Sequence, residues 1–210
     1  MSVLPAEVSQ QPSADLAALI GARICHDLVS PVGAISNGLE LLSLSPGAPV
    51  GPEMDLIAES CASAQARLGF YRVAFGKRSV SEVMSSRDAA ALVQGHFADT
   101  RLEAAWAAEG PLPRAEVQLA FLGLLCLETA LPRGGIVRVA RQGGRWELTG
   151  EGPRVAADPA LMAILQGAGG TQTLTPAQVQ FALLALHAAQ AGRGALAEAE
   201  ADARRIALCV

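Results

Sequence analysis

The chain has 210 residues, 51% of them hydrophobic and only 4% aromatic, with 16 Lys and Arg against 20 Asp and Glu. That length supports one large or two small cores, and the apolar content excludes a disordered chain. A net charge of −4 argues against a general role on nucleic acid or an anionic membrane, both of which need a basic face.

Residues 1–13 are polar and rich in Pro and Gln and read as a flexible tail. The start lacks the basic and apolar regions of a signal peptide. No stretch reads as the roughly 18 consecutive apolar residues of a membrane span. Ser13 is a candidate N-cap for a long helix over 14–43, with Leu16 opening its apolar pattern. "SPGAPVGP", 45–52, is a loop by its prolines and glycines. A second helix over 53–75 carries Met54, Ile57, Cys61, Ala64, Leu68, Tyr71 and Phe75 at alternating spacings of 3 and 4, a coiled-coil seam. The two helices form an antiparallel hairpin over 14–79. A lone hairpin cannot bury both stripes, so pairing of two copies into a four-helix bundle is expected.

Beyond residue 80 the texture changes, and 80–210 reads as a second, α+β domain. Its predicted elements are a helix over 87–97, a weak strand at "RLEAAWA", an apolar helix over 113–131 and a hairpin over 134–150 turning at Gly143-Gly144. Two more helices start at Pro159 and Pro176, capped by Asp158 and Thr175. "GALAEAEADARRIALCV" reads as a last strand pair. The cysteines, Cys25, Cys61, Cys126 and Cys209, form no CxxC pair and read as reduced, buried thiols of a cytoplasmic protein. No His, Cys or carboxylate spacing supports a metal site.

The first helix poses the functional question. An α-helix turns about 100° per residue. With Ile24 at zero, Leu28, Pro31, Ile35, Leu39 and Leu42 fall within about 60° of it, whereas His26 falls about 160° away. His26 therefore lies on the outer face, with Val29, Ser30, Gly33, Asn37 and Glu40. That surface is mostly small and flat. Gly33 costs a helix up to about 1 kcal/mol relative to alanine, and Pro31 removes a helical hydrogen bond. Two locally unfavourable residues within two turns of an exposed histidine point to a presented site.

"HDLVSPVGAI", 26–35, resembles the H-box of two-component histidine kinases: His26, an acidic Asp27, three spacers that include Ser30, then Pro31. With "ARLGFYRVAFG" (66–76) and "LPRGG" (131–135), the longer run from Ala22 is similar to the alphaproteobacterial histidine phosphotransferases of the ChpT family. The resemblance implies a dimeric helical hairpin followed by a degenerate, Bergerat-type ATPase-like α/β sandwich that does not bind ATP. The residues agree with the degeneracy. The helix over 113–131 contains no asparagine for Mg²⁺, and "TGEGP" (149–153) has Thr149 where a kinase glycine box has aspartate.

The resemblance further implies a phosphorelay role in cell-cycle regulation. His26 is the phosphoacceptor, and Asp27 orients its ring. Phosphoryl groups pass from the receiver domain of a hybrid histidine kinase to response regulators of the CtrA and CpdR type. The receivers supply Mg²⁺, so no cofactor of the chain's own is expected. Ser30 and Pro31 support the site, and Arg23, Val29, Gly33, Asn37 and Glu40 are the expected receiver-docking residues. Arg138 and Arg141, in an arginine run without acids that also includes Arg133 and Arg145, are further docking candidates. Two alternatives stand beside this reading: a fragment of an ATP-dependent sensor histidine kinase, and a non-catalytic scaffold that binds receivers.

Overall fold

A computed structural model of the protein describes residues 11–44, 51–168, 174–200 and 204–210. Residues 1–10 of the expected 1–13 tail and most of the interhelical loop lie outside them, whereas residues 11–13 belong to the first helix. Two long helices, α1 (Gln11–Leu44) and α2 (Pro52–Ala74), run as a hairpin. Pro52 occupies the first helical position, where its missing N–H costs nothing, and Glu53 and Asp55 complement the positive end of the dipole. Helix α1 begins at Gln11, so Ser13 lies within it and is not its cap.

The rest of the chain builds a mixed α+β unit, as the patterning predicts. A five-stranded sheet has the order β2 (Leu102–Trp106), β4 (Gly135–Gln142), β5 (Arg145–Glu151), β7 (Arg205–Cys209), β6 (Leu196–Ala199). Among the described residues only β2 and β4 pair in parallel. Gly143 and Gly144, both at positive φ, turn the β4–β5 hairpin. A small antiparallel pair, β1 (Val83–Ser85) with β3 (Pro111–Pro113), escapes sequence reading because each strand has three residues and one of the two is mostly proline.

Helices α3 (Ser86–Phe97), α4 (Arg114–Ala130), α5 (Pro159–Leu165) and α6 (Val179–Gln190) complete the unit. The side chain of Asp158 accepts from Ala160 N–H at 2.8 Å, and Thr175 with Gln178 closes a capping box ahead of α6, as expected of both residues. Helix α4 is apolar nearly all round because it is buried nearly all round.

The hairpin and the α+β unit share one core. Phe70, Tyr71, Val73 and Ala74 of α2 are buried in it, and Leu16, Leu19, Ile20 and Ile24 of α1 pack on its edge. The rings of His96, Phe70 and Phe121 stack, with centroids 4.0 Å and 4.4 Å apart, and so join α3, α2 and α4. Side chains of α4 cap the last carbonyls of α2. Gln118 Nε2 donates to Ala74 O at 3.2 Å and Gly76 O at 2.8 Å, and Arg114 donates to Arg72 O and Lys77 O.

Two expectations need correction. Asp15–Leu42 of α1 is long and apolar enough, at a mean hydropathy of 1.3, to cross a membrane by length and composition. Leu, Ile and Val residues raise that average without a continuous run, because Arg23, His26 and Asp27 interrupt it. Cys25 and Cys209 are exposed; only Cys126 is fully buried. Leu39, Met54 and Leu68 of the apolar stripes are 56%, 40% and 49% exposed, in keeping with a single hairpin that cannot bury both.

Burial, reinforced by the nearby Arg67 cation, pushes the His96 imidazole down from 6.5 to about 3. The folded protein therefore keeps His96 neutral while the unfolded chain protonates it. Stability falls as pH drops from about 6.5 toward 3, by a few kcal/mol in total. Replacing His96 by Phe is expected to flatten that loss; chemical denaturation of both proteins at pH 7.5 and pH 5 measures it.

Candidate functional site

His26 stands on α1 with its side chain 86% exposed. Its Nδ1 lies 2.9 Å from Asp27 Oδ1. An ionised carboxylate can only accept, so Nδ1 donates, and in the neutral ring Nε2 is then the nitrogen with its lone pair available.

Neighbouring helical positions diverge by about 100°, so Asp27 turns inward while His26 faces out. The Asp27 side chain is only 14% exposed and is held from three sides. Besides His26, Arg23 Nε donates to Oδ2 at 2.7 Å, and the Tyr71 hydroxyl of α2 donates to the same oxygen. Burial alone raises the Asp27 carboxyl. The bonds from His26 and Tyr71 and the Arg23 cation outweigh it and hold the group below the ordinary aspartate value. Burial, with the carboxylate beside it, pushes the Tyr71 phenol up, so that it remains a donor.

Arg23 is 9% exposed, and this corrects its assignment as a receiver-docking residue. One turn before His26 places it beside Asp27 rather than on the outer face. Its Nη2 donates to Glu128 Oε2 of α4 at 3.2 Å, and its Nη1 to Ala177 O at 3.0 Å, in the single turn ahead of α6.

The remaining outer-face residues lie where the helical wheel places them. Val29, Ser30, Asn37 and Glu40 are exposed, and Gly33 is half-buried. A Cβ on Gly33 would meet nothing within 4 Å, so packing within the chain does not require glycine there. Gly38 is the opposite case. A Cβ there would meet Ile57 Cγ1 at 2.5 Å, where α1 and α2 approach closely. Pro31 is buried, and its missing N–H leaves the Asp27 carbonyl without a helical donor. Arg67 of α2 reaches that carbonyl, Nη1 to O, at 3.4 Å.

The two distal arginines part company. Three residues apart on a strand, they point to opposite faces. Arg138 is exposed. Arg141 turns toward the helices, lies over Trp146 at 5.9 Å and pairs with Glu116 at 3.6 Å, which corrects its assignment as a free docking cation. Sequence reasoning missed Tyr71, Arg67 and Glu128. Tyr71 reads only as a seam residue; it and Arg67 lie in the run 66–76 that carries the resemblance, without a role assigned to either, and Glu128 has no local signal.

Residues 86–203 match the family of the histidine phosphotransferase C-terminal domain. The chain belongs to the histidine phosphotransferase family. It is 36% identical over 184 residues to the protein phosphotransferase ChpT of Brucella abortus (strain 2308), covering 85% of this chain and 87% of that one. A solved bacterial phosphotransferase superposes with a TM-score of 0.77 at 33% identity, over 99% of both chains. The resemblance seen in the first helix is thus borne out along most of the chain, and the activity is that of a phosphorelay histidine phosphotransferase.

The Pro31–Arg67 relation is open to test. Arg67→Met leaves the Asp27 carbonyl unpaired and is expected to cost about 1 kcal/mol. In a Pro31→Ala background, where the helix supplies its own donor, the cost should shrink. Denaturation midpoints of the double-mutant cycle measure the difference.

Proposed function

We propose that His26 is the phosphoacceptor and carries the group between receiver-domain aspartates. The observation that carries this reading is the exposed ring whose Nδ1 is bonded to Asp27 at 2.9 Å, which supports Nε2 as the nucleophile. In the transfer the phosphorus–oxygen bond of the receiver's aspartyl phosphate breaks and a bond from phosphorus to Nε2 forms. The receiver's carboxylate leaves unprotonated. The phosphorylated ring keeps its Nδ1 proton and becomes a cation, and Asp27 faces that charge. Return to a second receiver runs the same steps in reverse.

The receiver's own Mg²⁺ neutralises charge on the phosphoryl group, and this chain contributes no cofactor. Val29, Ser30, Gly33, Asn37 and Glu40 meet the receiver, with Pro31 shaping the turn beneath, and the open space over Gly33 gives a partner room to approach. Arg138 is a second, more distant docking contact. The donors and acceptors are receivers of a hybrid kinase and of CtrA- and CpdR-type regulators, which places the protein in the cytoplasm and in cell-cycle control.

The chain divides at about residue 80 into a hairpin for dimerisation and transfer and a degenerate ATPase-like domain that does not bind ATP. Packing accounts for the two glycines that resemble a glycine box. A Cβ on Gly150 would meet Leu131 Cδ1 at 2.9 Å, and one on Gly152 would meet Gly134 O at 2.5 Å. Two copies pair along the open seam at Leu39, Met54 and Leu68 into a four-helix bundle.

A purified phosphorylated receiver domain, freed of kinase and ATP, is expected to label the wild-type chain and not His26→Ala. The label should survive base and be lost in acid. A panel of receivers that bind but leave the wild type unlabelled overturns the relay in favour of a scaffold. Sedimentation should show twice the chain's mass for the wild type and the single-chain mass for Leu68→Asp; a wild-type monomer overturns the dimer.

A further inference from the structure

The acid beside His26 is built into the second unit of the protein, well beyond its own helix. Asp27 Oδ2 accepts from Arg23 and Tyr71, leaving Oδ1 to His26. Arg23 is a long, flexible side chain and by itself would not fix a carboxylate, because ordering it carries a large rotamer cost. Its other two nitrogens end on acceptors of the α+β unit: Glu128 Oε2 on α4 at 3.2 Å and Ala177 O in the turn before α6 at 3.0 Å. These partners lie 105 and 154 residues from Arg23 in the chain. Tyr71, buried in the shared core, closes the carboxylate from the α2 side.

We infer that Arg23, Tyr71 and Glu128 are positioning residues of phosphotransfer: through them the α+β unit sets the Asp27 carboxylate and so keeps His26 in its Nδ1–H form. The inference rests on His26 as the acceptor. A free imidazole exchanges its proton between two nitrogens, and only the Nδ1–H form offers Nε2 to phosphorus. Loosening Asp27 therefore lowers the reactive fraction and misaims the ring without touching the docking surface. The same bonds explain why the second unit would matter to a transfer that uses no nucleotide.

The test uses the full chain and two readouts. The first is the nitrogen NMR signature of ¹⁵N-labelled His26 in the unphosphorylated protein, which reports the tautomer without any transfer. The second is single-turnover transfer from a phosphorylated receiver, with receiver affinity measured separately. Tyr71→Phe and Glu128→Ala are expected to shift the His26 signature toward mixed tautomers and to slow transfer at saturating receiver roughly tenfold, with affinity unchanged.

Glu128→Gln, which keeps an acceptor at the same reach, should recover most of the rate. Arg114→Ala, which breaks the junction between α2 and α4 away from Asp27, controls for simple loosening and should alter neither readout. Wild-type tautomer and rate in both Tyr71→Phe and Glu128→Ala would overturn the inference, as would an equal loss in Arg114→Ala. If the wild type itself takes no phosphoryl group, the phosphoacceptor reading fails, and the tautomer measurement still decides whether the second unit holds Asp27.

Discussion

The structure turns on one buried ion pair. Arg23 and Asp27 lie one helical turn apart on α1, 2.7 Å from atom to atom, at the junction between the hairpin and the α+β unit. Burying two charges is costly, and their mutual attraction offsets that cost only when their remaining hydrogen-bonding positions are also filled. Here they are. Tyr71 and His26 complete Asp27, and Glu128 with the Ala177 carbonyl completes Arg23. All but His26 come from other elements, so the pair can be satisfied only once the hairpin and the second unit have come together.

That dependence joins stability to chemistry. The bonds that make burial of Asp27 tolerable also leave one of its oxygens aimed at an exposed imidazole. The ring remains in solvent while its orienting group sits in a rigid, mostly desolvated setting. A carrier of phosphoryl groups needs this division. On the proposed reading of His26 as phosphoacceptor, the acceptor nitrogen must be reachable by a partner's active site while the other nitrogen is held by Asp27. The aromatic stack of His96, Phe70 and Phe121 serves the same end from beneath, because it fixes α2 and hence Tyr71 against α3 and α4.

Proline and glycine on α1 follow the same logic at the level of backbone. Pro31 removes a helical donor from the Asp27 carbonyl, and Arg67 reaches across from α2 to meet it. Gly38 lets the two helices close, whereas Gly33 serves no contact within the chain and leaves a bare patch beside the histidine. Packing explains the first glycine; among the described residues no contact requires the second.

Much of this was legible in the residues alone. The hairpin, the helix starts at Pro159 and Pro176 and the turn at Gly143-Gly144 follow from local rules acting within a few residues. So does the outward position of His26, because helical geometry depends only on spacing; that Asp27 turns inward emerged only from the structure. The setting of Asp27 was not legible. Tyr71 lies 44 residues from it and Glu128 lies 105 from Arg23, and no periodicity or composition links such positions. Arg23 looked like surface charge because a helical wheel gives direction but not what stands there, and Arg141 looked free because Trp146 and Glu116 meet it only across the folded unit. The sequence by itself determined which residue is presented and on which face; the tertiary structure decided what holds it, since a charge is stable inside a protein only where distant parts of the chain converge to satisfy it.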